Sequence, residues 1–262
     1  MTCSPPPLTR AVLLTLAGLG AAAARASVYW TCETAEPTPC AARALANAAG
    51  PAGLEARRAA GAPAFSPEVV PAPTRQIAEG SGGAVVNPDN RASLFFDGQS
   101  RLTASGAFQP AAFTVEAFIK VNAHHDYPLI VGKVRDRARN SATWSLSVSG
   151  RKLRTRFDTY PENAAWPSPK GFNQSFSSGV DVEDGQWHHV AFSYENQTVR
   201  MYVDYAPCGG ACQTAFPLVY TDGELCLGDG AGEGPFNGWI DEVRITPRVL
   251  EPSEFLRAMT FS

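Results

Sequence analysis

The stretch DGQWHHVAFSYENQTVRMYVD, residues 184–204, predicts a β-hairpin. Apolar residues recur at every second position on both sides of Asn196-Gln197, and this period of two is typical of strands with one buried face. Asn196-Gln197 is suited to a two-residue turn, because Asn tolerates the positive φ that such turns need. A turn there places Val190 opposite Val203, and the large apolar side chains of both strands then share one face.

Four histidines occur in the chain, in two adjacent pairs. His188 shares the apolar face of the hairpin, so we predict a hydrogen-bonded core residue. His189 lies on the other face, opposite Asp204, and this pair forms either a cross-strand ion pair or half of a site. Since neighbouring strand residues point to opposite faces, these two histidines do not bind one metal ion. The pair at 124–125 lies in a predicted loop, and either metal binding or ordinary solvation fits it.

The rest of the chain, from Ala92 onward, continues the period of two. The alternating runs are FTVEAFIKV, WSLSV, GRKLRTRF, ELCLG and GWIDEVRI. Many short strands joined by turn residues predict an all-β fold, a two-sheet antiparallel jelly-roll sandwich. Pro252 stands at a favoured first helical position, so EFLRAM (254–259) is predicted to form a short C-terminal helix.

The N-terminal residues 1–26 have the pattern of a signal peptide. Arg10 precedes an apolar run at 11–24, and Ala24-Arg25-Ala26 reads as a cleavage site. The run is too short to span a membrane, and no other segment is long enough. We therefore expect a secreted protein, extracellular or periplasmic.

The remaining 27–262 are predicted to form one jelly-roll domain, with its motif-bearing core at 111–250. Apolar residues are 44% of the chain and charged residues 18%, which suffices for a sizeable core. Residues 41–90 are rich in Ala, Pro and Gly and predict an irregular surface excursion. Without the signal peptide the net charge of −3 falls to −5, which excludes a general attraction for nucleic acid.

Five cysteines follow the signal peptide. Export favours disulfides, and local pairing joins Cys32 to Cys40 and Cys208 to Cys212. A metal-binding or free pair is the alternative for CGGAC (208–212), but zinc needs two further ligands and the spacing matches no familiar zinc pattern. No metal site is predicted.

The turn sequence Ser149-Gly150 predicts a second hairpin, with Leu146 opposite Leu153 on the inner face. Its outer face carries three cations at alternate positions, Lys152, Arg154 and Arg156. Serine and threonine hydroxyls lie opposite them. This basic stripe is either a binding site for an anionic glycan or a solvated strand face.

Several of these motifs resemble laminin-G-like jellyroll domains of the concanavalin A-like lectin and glucanase superfamily. The similar segments are DGQWHHVAFSYENQTVRMYVD, FTVEAFIKV (113–121), PFNGWIDEVRITPRVLEPSEF (235–255), VYW (28–30) and SLFFDGQSRLT (93–103). The chain departs from the family at Asp204-Tyr205, where Asp-Gly is usual. Because Tyr tolerates positive φ poorly, we expect this turn to be reshaped.

The resemblance implies a module that binds glycans or protein partners outside the cell, some with calcium. The acidic loop residues match no calcium ligand set, so no cofactor is predicted and a calcium requirement stays open. A structural or adhesive module is the alternative.

A glycoside hydrolase of the same superfold is the remaining alternative. It needs two carboxylates, which the β-glucanases carry as Glu-x-Asp-x-Glu on one strand. The nearest match, residues 179–183, has Gly179 in place of the first Glu. Catalysis is therefore not expected.

Overall fold

The computed structural model describes residues 28–30, 32, 57–60, 63–70, 74–75, 86–87, 90–104, 108–136, 141–160 and 172–258. Its strands are β1 (Val28–Trp30), β2 (Arg57–Ala60), β3 (Ala64–Ser66), β4 (Thr74–Arg75), β5 (Val86–Asn87), β6 (Ser93–Asp97), β7 (Arg101–Ala104), β8 (Ala112–Val121), β9 (Leu129–Asp136), β10 (Ser141–Ser149), β11 (Lys152–Thr159), β12 (Phe172–Asp181), β13 (His188–Glu195), β14 (Thr198–Val203), β15 (Ala206–Gln213), β16 (Leu225–Leu227), β17 (Asn237–Thr246) and β18 (Arg257–Ala258).

Two large antiparallel sheets form the sandwich. The front sheet has the order β15-β14-β13-β8-β17-β6-β3, with β1 also paired to β17. The back sheet has the order β12-β11-β10-β9-β16-β7-β2. β18, β4 and β5 form a separate three-stranded sheet in that order. The prediction of a two-sheet jelly roll is confirmed.

The core between the sheets is built around aromatic rings. Phe113 of the front sheet packs on Trp144 of the back sheet, with ring centroids 5.4 Å apart. Phe157 contacts Phe192 edge to face at 5.7 Å. All four side chains are fully buried. Each belongs to the set of alternate strand positions that the period of two assigns to the inner face.

The first predicted hairpin is confirmed in register. Val190 pairs with Val203, and Asn196 and Gln197 adopt φ values of 48° and 65°. Both central residues of a type I′ turn need positive φ, which Asn supplies readily.

The second predicted hairpin is shifted along the chain. Its turn residues are Gly150 and Arg151, with φ values of 53° and 69°, rather than Ser149-Gly150. Leu146 consequently pairs with Thr155 and not with Leu153. Each partner changes by two residues, so every side chain keeps its predicted face.

The predicted C-terminal helix is wrong. Only a 3-10 turn, Pro252–Glu254, forms, and Phe255 is already extended with ψ 155°. The Leu256 amide N–H donates to Glu116 Oε2 at 2.8 Å instead of to a helical carbonyl. Phe255 and Leu256 are both fully buried, and this anchoring replaces the helix.

Parts of the Ala-, Pro- and Gly-rich segment are more regular than predicted. Strand β2 extends one edge of the back sheet and β3 extends one edge of the front sheet. Glu68 reaches Lys120 Nζ at 2.9 Å and Val70 is buried, so this segment packs on the sandwich.

None of the residues described above forms a helix long and apolar enough to cross a membrane. The predicted signal peptide, residues 1–26, lies outside the described residues.

Candidate functional site

Tyr127 is the most exposed large aromatic side chain that the structure describes, with half of its surface open to solvent. It lies in the loop between β8 and β9 with φ 54°, a left-handed conformation that costs a non-glycine residue roughly 1–2 kcal/mol. Strained residues persist where their surroundings hold them, and they concentrate at functional sites.

The backbone around Tyr127 is held by a neighbouring loop, residues 228–236. The Gly234 N–H donates to Tyr127 O at 2.9 Å, and the Leu129 N–H donates to Gly234 O at the same distance. A Cβ on Gly234 would stand 2.4 Å from Asp126 O, so only glycine permits this close approach. The Tyr127 ring is thus presented from a fixed backbone.

Arg154 lies against the ring of Tyr127, with its guanidinium carbon 4.9 Å from the ring centroid. The guanidinium donates to Ser147 Oγ at 3.2 Å and to Ser175 Oγ at 2.6 Å. It also donates to both carboxylate oxygens of Glu233 at 2.8 Å. This cation–π contact holds the ring, and half of the surface of Tyr127 stays open to solvent.

Glu233 and Asp158 neutralise the two arginines of the stripe. The Glu233 side chain is 1% exposed and also accepts from Ser145 Oγ at 2.8 Å. Arg156 pairs with Asp158 Oδ2 at 3.1 Å and donates to the carbonyl of Gly232 at 2.8 Å. The charges of Arg154 and Arg156 are therefore balanced by those of Glu233 and Asp158.

The cations of the basic stripe alternate along β11 as predicted, but Arg154 and Arg156 are paired with carboxylates. Arg154 and Arg156 have side chains only 12% exposed, because the loop 228–236 covers them, whereas Lys152 is half-buried. The covering carboxylate, Glu233, lies 79 residues from Arg154 along the chain. No local pattern at 152–156 signals it. Tyr127 follows the predicted loop of His124 and His125, and no sequence pattern distinguishes it.

The loop histidines lie close to Tyr127 but do not form a metal centre. His124 Nδ1 contacts Glu183 Oε2 at 2.9 Å, and the His125 ring lies near Gly98. Within the described ranges, no group of three or more His, Cys, Asp or Glu side chains is placed to hold a metal ion.

His188 is buried and hydrogen-bonded, as predicted. Its Nδ1 contacts Asp204 Oδ2 at 2.8 Å and its Nε2 contacts Asp184 Oδ1 at 3.0 Å. The bond to Asp204, together with that to Asp184, raises the pKa of His188 to about 8 against the opposing effect of burial.

His189 differs from its prediction. Its side chain is 1% exposed and bonds through Nε2 to Glu116 Oε2 at 2.9 Å. The Asp204 carboxylate contacts the His188 ring and accepts only the backbone N–H of His189. Phe255, which follows the turn at Pro252–Glu254, covers this face, with its ring centroid 5.3 Å from that of His189. The expected His189–Asp204 ion pair is wrong for this reason.

Cys208 and Cys212, predicted to form a disulfide, are free thiols in the structure. They flank a bulge of β15, opposite Met201 and Val199. The Cys208 thiol points to Ala206 O at 3.5 Å and the Cys212 thiol to Gly210 O at 3.8 Å. Each sulfur is thus directed to the backbone carbonyl two residues before it. Cys32 is also a free, buried thiol, and its predicted partner Cys40 lies outside the described residues.

A profile described as the concanavalin A-like lectin/glucanases superfamily, of the laminin-G type, matches residues 96–255. No curated protein matches the chain significantly.

The chain is similar to several solved structures at low sequence identity. Domain 4 of an extracellular arabinanase from Geobacillus stearothermophilus, in complex with arabinotriose, is 20% identical, with 74% of this chain and 79% of that one covered and a TM-score of 0.46. The botulinum neurotoxin type G receptor binding domain is 9% identical, with 87% and 49% covered and a TM-score of 0.51. The serotype D binding domain is 10% identical, with 89% and 50% covered and a TM-score of 0.52. The chain spans about half the length of these toxin domains.

Proposed function

The chain belongs to the concanavalin A-like lectin/glucanases superfamily, and on that premise we propose that it is a secreted, non-catalytic module that binds extracellular carbohydrate. The observation that carries the proposal is Tyr127, an exposed aromatic ring with a fixed backbone. Sugars present apolar C–H faces that pack on such rings, and a rigid ring loses little conformational entropy on binding.

Polar groups beside the ring supply the orientation that a stacked sugar needs. Ser175 is exposed and its hydroxyl is held by Arg154, while Lys152 stands at the edge of the same face. Arg154 supports the ring of Tyr127, and Arg156 binds the loop that carries Glu233 through the carbonyl of Gly232. Since their charges are balanced by Glu233 and Asp158, a neutral glycan fits the site better than the anionic glycan expected from the stripe alone.

The same charge balance supports a non-catalytic role. Glycoside hydrolysis requires one carboxyl to transfer a proton and a second to act as nucleophile or base. Glu233 and Asp158 are instead paired with arginines and almost fully buried, so neither presents a free carboxyl to a substrate.

The test is a glycan array that holds neutral, sulfated and uronic-acid glycans, probed with and without calcium. We expect a neutral glycan to bind the parent protein, and Tyr127→Ala to weaken binding about tenfold, or 1.4 kcal/mol. Val219→Ala is the matched control, because Val219 is also an exposed apolar residue but lies near Arg135, at the other end of β9.

Equal binding by Tyr127→Ala and Val219→Ala contradicts the Tyr127 site. Binding only to sulfated or uronic-acid glycans would assign glycan binding to the basic stripe and not to Tyr127. An array without any bound glycan favours the structural or adhesive alternative, in which a protein surface contacts Tyr127.

The secreted state is part of the proposal and is tested separately. Expression of the full chain in a secreting cell should place the protein in the medium with Ser27 as its first residue. Mass spectrometry of the N-terminal peptide identifies the first residue of the secreted protein.

A further inference from the structure

Two Asn-x-Ser/Thr sequences occur in the chain, Asn173-Gln174-Ser175 and Asn196-Gln197-Thr198. This pattern is the acceptor for N-linked glycans in secreted proteins. We propose that Asn196 is an N-glycosylation site. The inference rests on the proposed secretion, since the modification takes place in the secretory pathway.

The reaction joins Asn196 to an oligosaccharide carried on a lipid diphosphate. A bond forms between Asn196 Nδ2 and the anomeric carbon of the first sugar. The bond from that carbon to the diphosphate oxygen breaks, the lipid diphosphate leaves and the amide gives up one proton. The donor and its transferase belong to the secreting cell.

The position of Asn196 suits a large covalent substituent. It is the first central residue of the two-residue turn between β13 and β14, it has φ 48° and its side chain is exposed. Asn is among the few residues that accept this conformation, so the turn keeps an asparagine for backbone reasons as well. A glycan at the tip of a hairpin extends into solvent and displaces no strand.

The structure also separates Asn196 from the proposed carbohydrate site. Glu195, beside Asn196, pairs with Ala112 at the start of β8, whereas Tyr127 follows the far end of β8. Ten residues of strand span about 33 Å. A glycan on Asn196 therefore leaves the Tyr127 face open.

Asn173 is the competing acceptor, and its surroundings favour it less. It lies within β12 opposite Asp158, and Ser175 of its acceptor sequence accepts a hydrogen bond from Arg154 at 2.6 Å. A glycan on Asn173 would lie on the outer face of β11 and β12, beside the groups that support Tyr127. Occupancy of Asn196 is the arrangement compatible with binding.

The experiment secretes the full chain from a cultured eukaryotic cell and compares intact masses before and after peptide-N-glycosidase. Thr198→Ser keeps the acceptor sequence, and Thr198→Ala removes it while Asn196 stays in the turn. Thr198 Oγ1 also accepts from Gln213 Nε2 at 2.8 Å, a bond that serine retains. We expect the parent and Thr198→Ser to lose a glycan mass, with Asn196 converted to aspartate, and Thr198→Ala to carry none at this position.

Each other result overturns the inference in a distinguishable way. A glycan that persists in Thr198→Ala and disappears in Asn173→Gln assigns the modification to Asn173. Secreted protein without a glycan contradicts the site but leaves secretion and sugar binding standing. Protein retained in the cytosol contradicts both secretion and glycosylation. The glycan array then tests sugar binding independently of them.

Discussion

Tyr205 stacks on His189, with ring centroids 4.6 Å apart and ring planes 20° apart, although Tyr205 has φ 69°. The turn formed with Asp204 keeps two residues, since Val203 pairs with Ala206. The sequence led us to expect a reshaped turn, because Tyr pays for positive φ where the family usually has Gly. That expectation was wrong: the aromatic contact offsets a strain of about 1–2 kcal/mol.

Substitution of Tyr205 separates the strain from the stacking. Tyr205→Gly loses the contact and also relieves the strain, so its free energy of unfolding should lie within ~1 kcal/mol of the parent. Tyr205→Ala loses the contact and keeps the strain, and should be less stable than Tyr205→Gly by about 1 kcal/mol. Urea unfolding measures both, and equal stability of the two variants would show that the turn is not strained.

The buried contact of His189 with Glu116 should be important for stability. His189→Gln leaves Glu116 with one fewer partner, and we expect a loss of roughly 2–4 kcal/mol. Burial by itself raises the pKa of Glu116, but Arg244 and His189 outweigh it and lower that pKa. Glu116→Gln leaves Arg244 buried without its carboxylate and should cost about 3–5 kcal/mol.

Thermal and urea unfolding of both variants test this ordering. Gln213→Ala, an exposed change on the edge strand β15, serves as the control. A near-neutral His189→Gln would contradict the structural role of the buried His189–Glu116 contact.

The stability of the fold should fall as pH rises through about 8. The pKa of His188 is raised to about 8 by Asp204 and Asp184, whereas unfolded histidine titrates near 6.5. The stabilising charge is thus fully present below about pH 6.5 and is lost as pH rises through the folded pKa. Because Asp184 and Asp204 are partly exposed, solvent screening limits the effect to roughly 1 kcal/mol.

Unfolding measured between pH 6 and 8.5 for the parent and His188→Gln checks this. The variant should lack the decline. Burial lowers the pKa of Lys133 to about 8, so the loss of this buried charge raises stability as pH rises through that value, in the parent and the variant alike. A decline of equal size in both proteins would assign the effect to another group.

Lys152 and Arg154 should respond differently to the same substitution. Lys152→Ser should change stability by less than about 0.5 kcal/mol, since a surface charge is worth little. Arg154→Ser leaves Glu233 buried with a weaker set of partners and should cost about 2–4 kcal/mol. The interpretation of the stripe as three free cations predicts instead that both changes leave the fold intact.

Stability measurements on the two variants decide between these outcomes, and retention on an anionic-polysaccharide column tests the stripe itself. A folded Arg154→Ser variant of parental stability would contradict the structural role of the Arg154–Glu233 pair. Loss of retention in Lys152→Ser would make Lys152 a binding residue.

Much of the fold followed from local pattern. Alternation of apolar and polar residues identified the strands, and the register of Val190 with Val203 followed from a single turn. The turn at Gly150-Arg151 was misplaced by one residue because Ser149-Gly150 is equally suited to a turn. The helix predicted after Pro252 does not form. Pro252 is a local helix-start signal, whereas Glu116 binds the Leu256 amide from another strand.

The sequence by itself determined the two-sheet sandwich, because a side chain's face in a strand depends only on whether its position is odd or even. Only the tertiary structure decided which polar groups meet. His189 bonds to Glu116, 73 residues away, and Arg154 bonds to Glu233, 79 residues away. Such pairs form where separate loops and strands pack together, and the alternation within one strand carries no information about the distant segment that covers it.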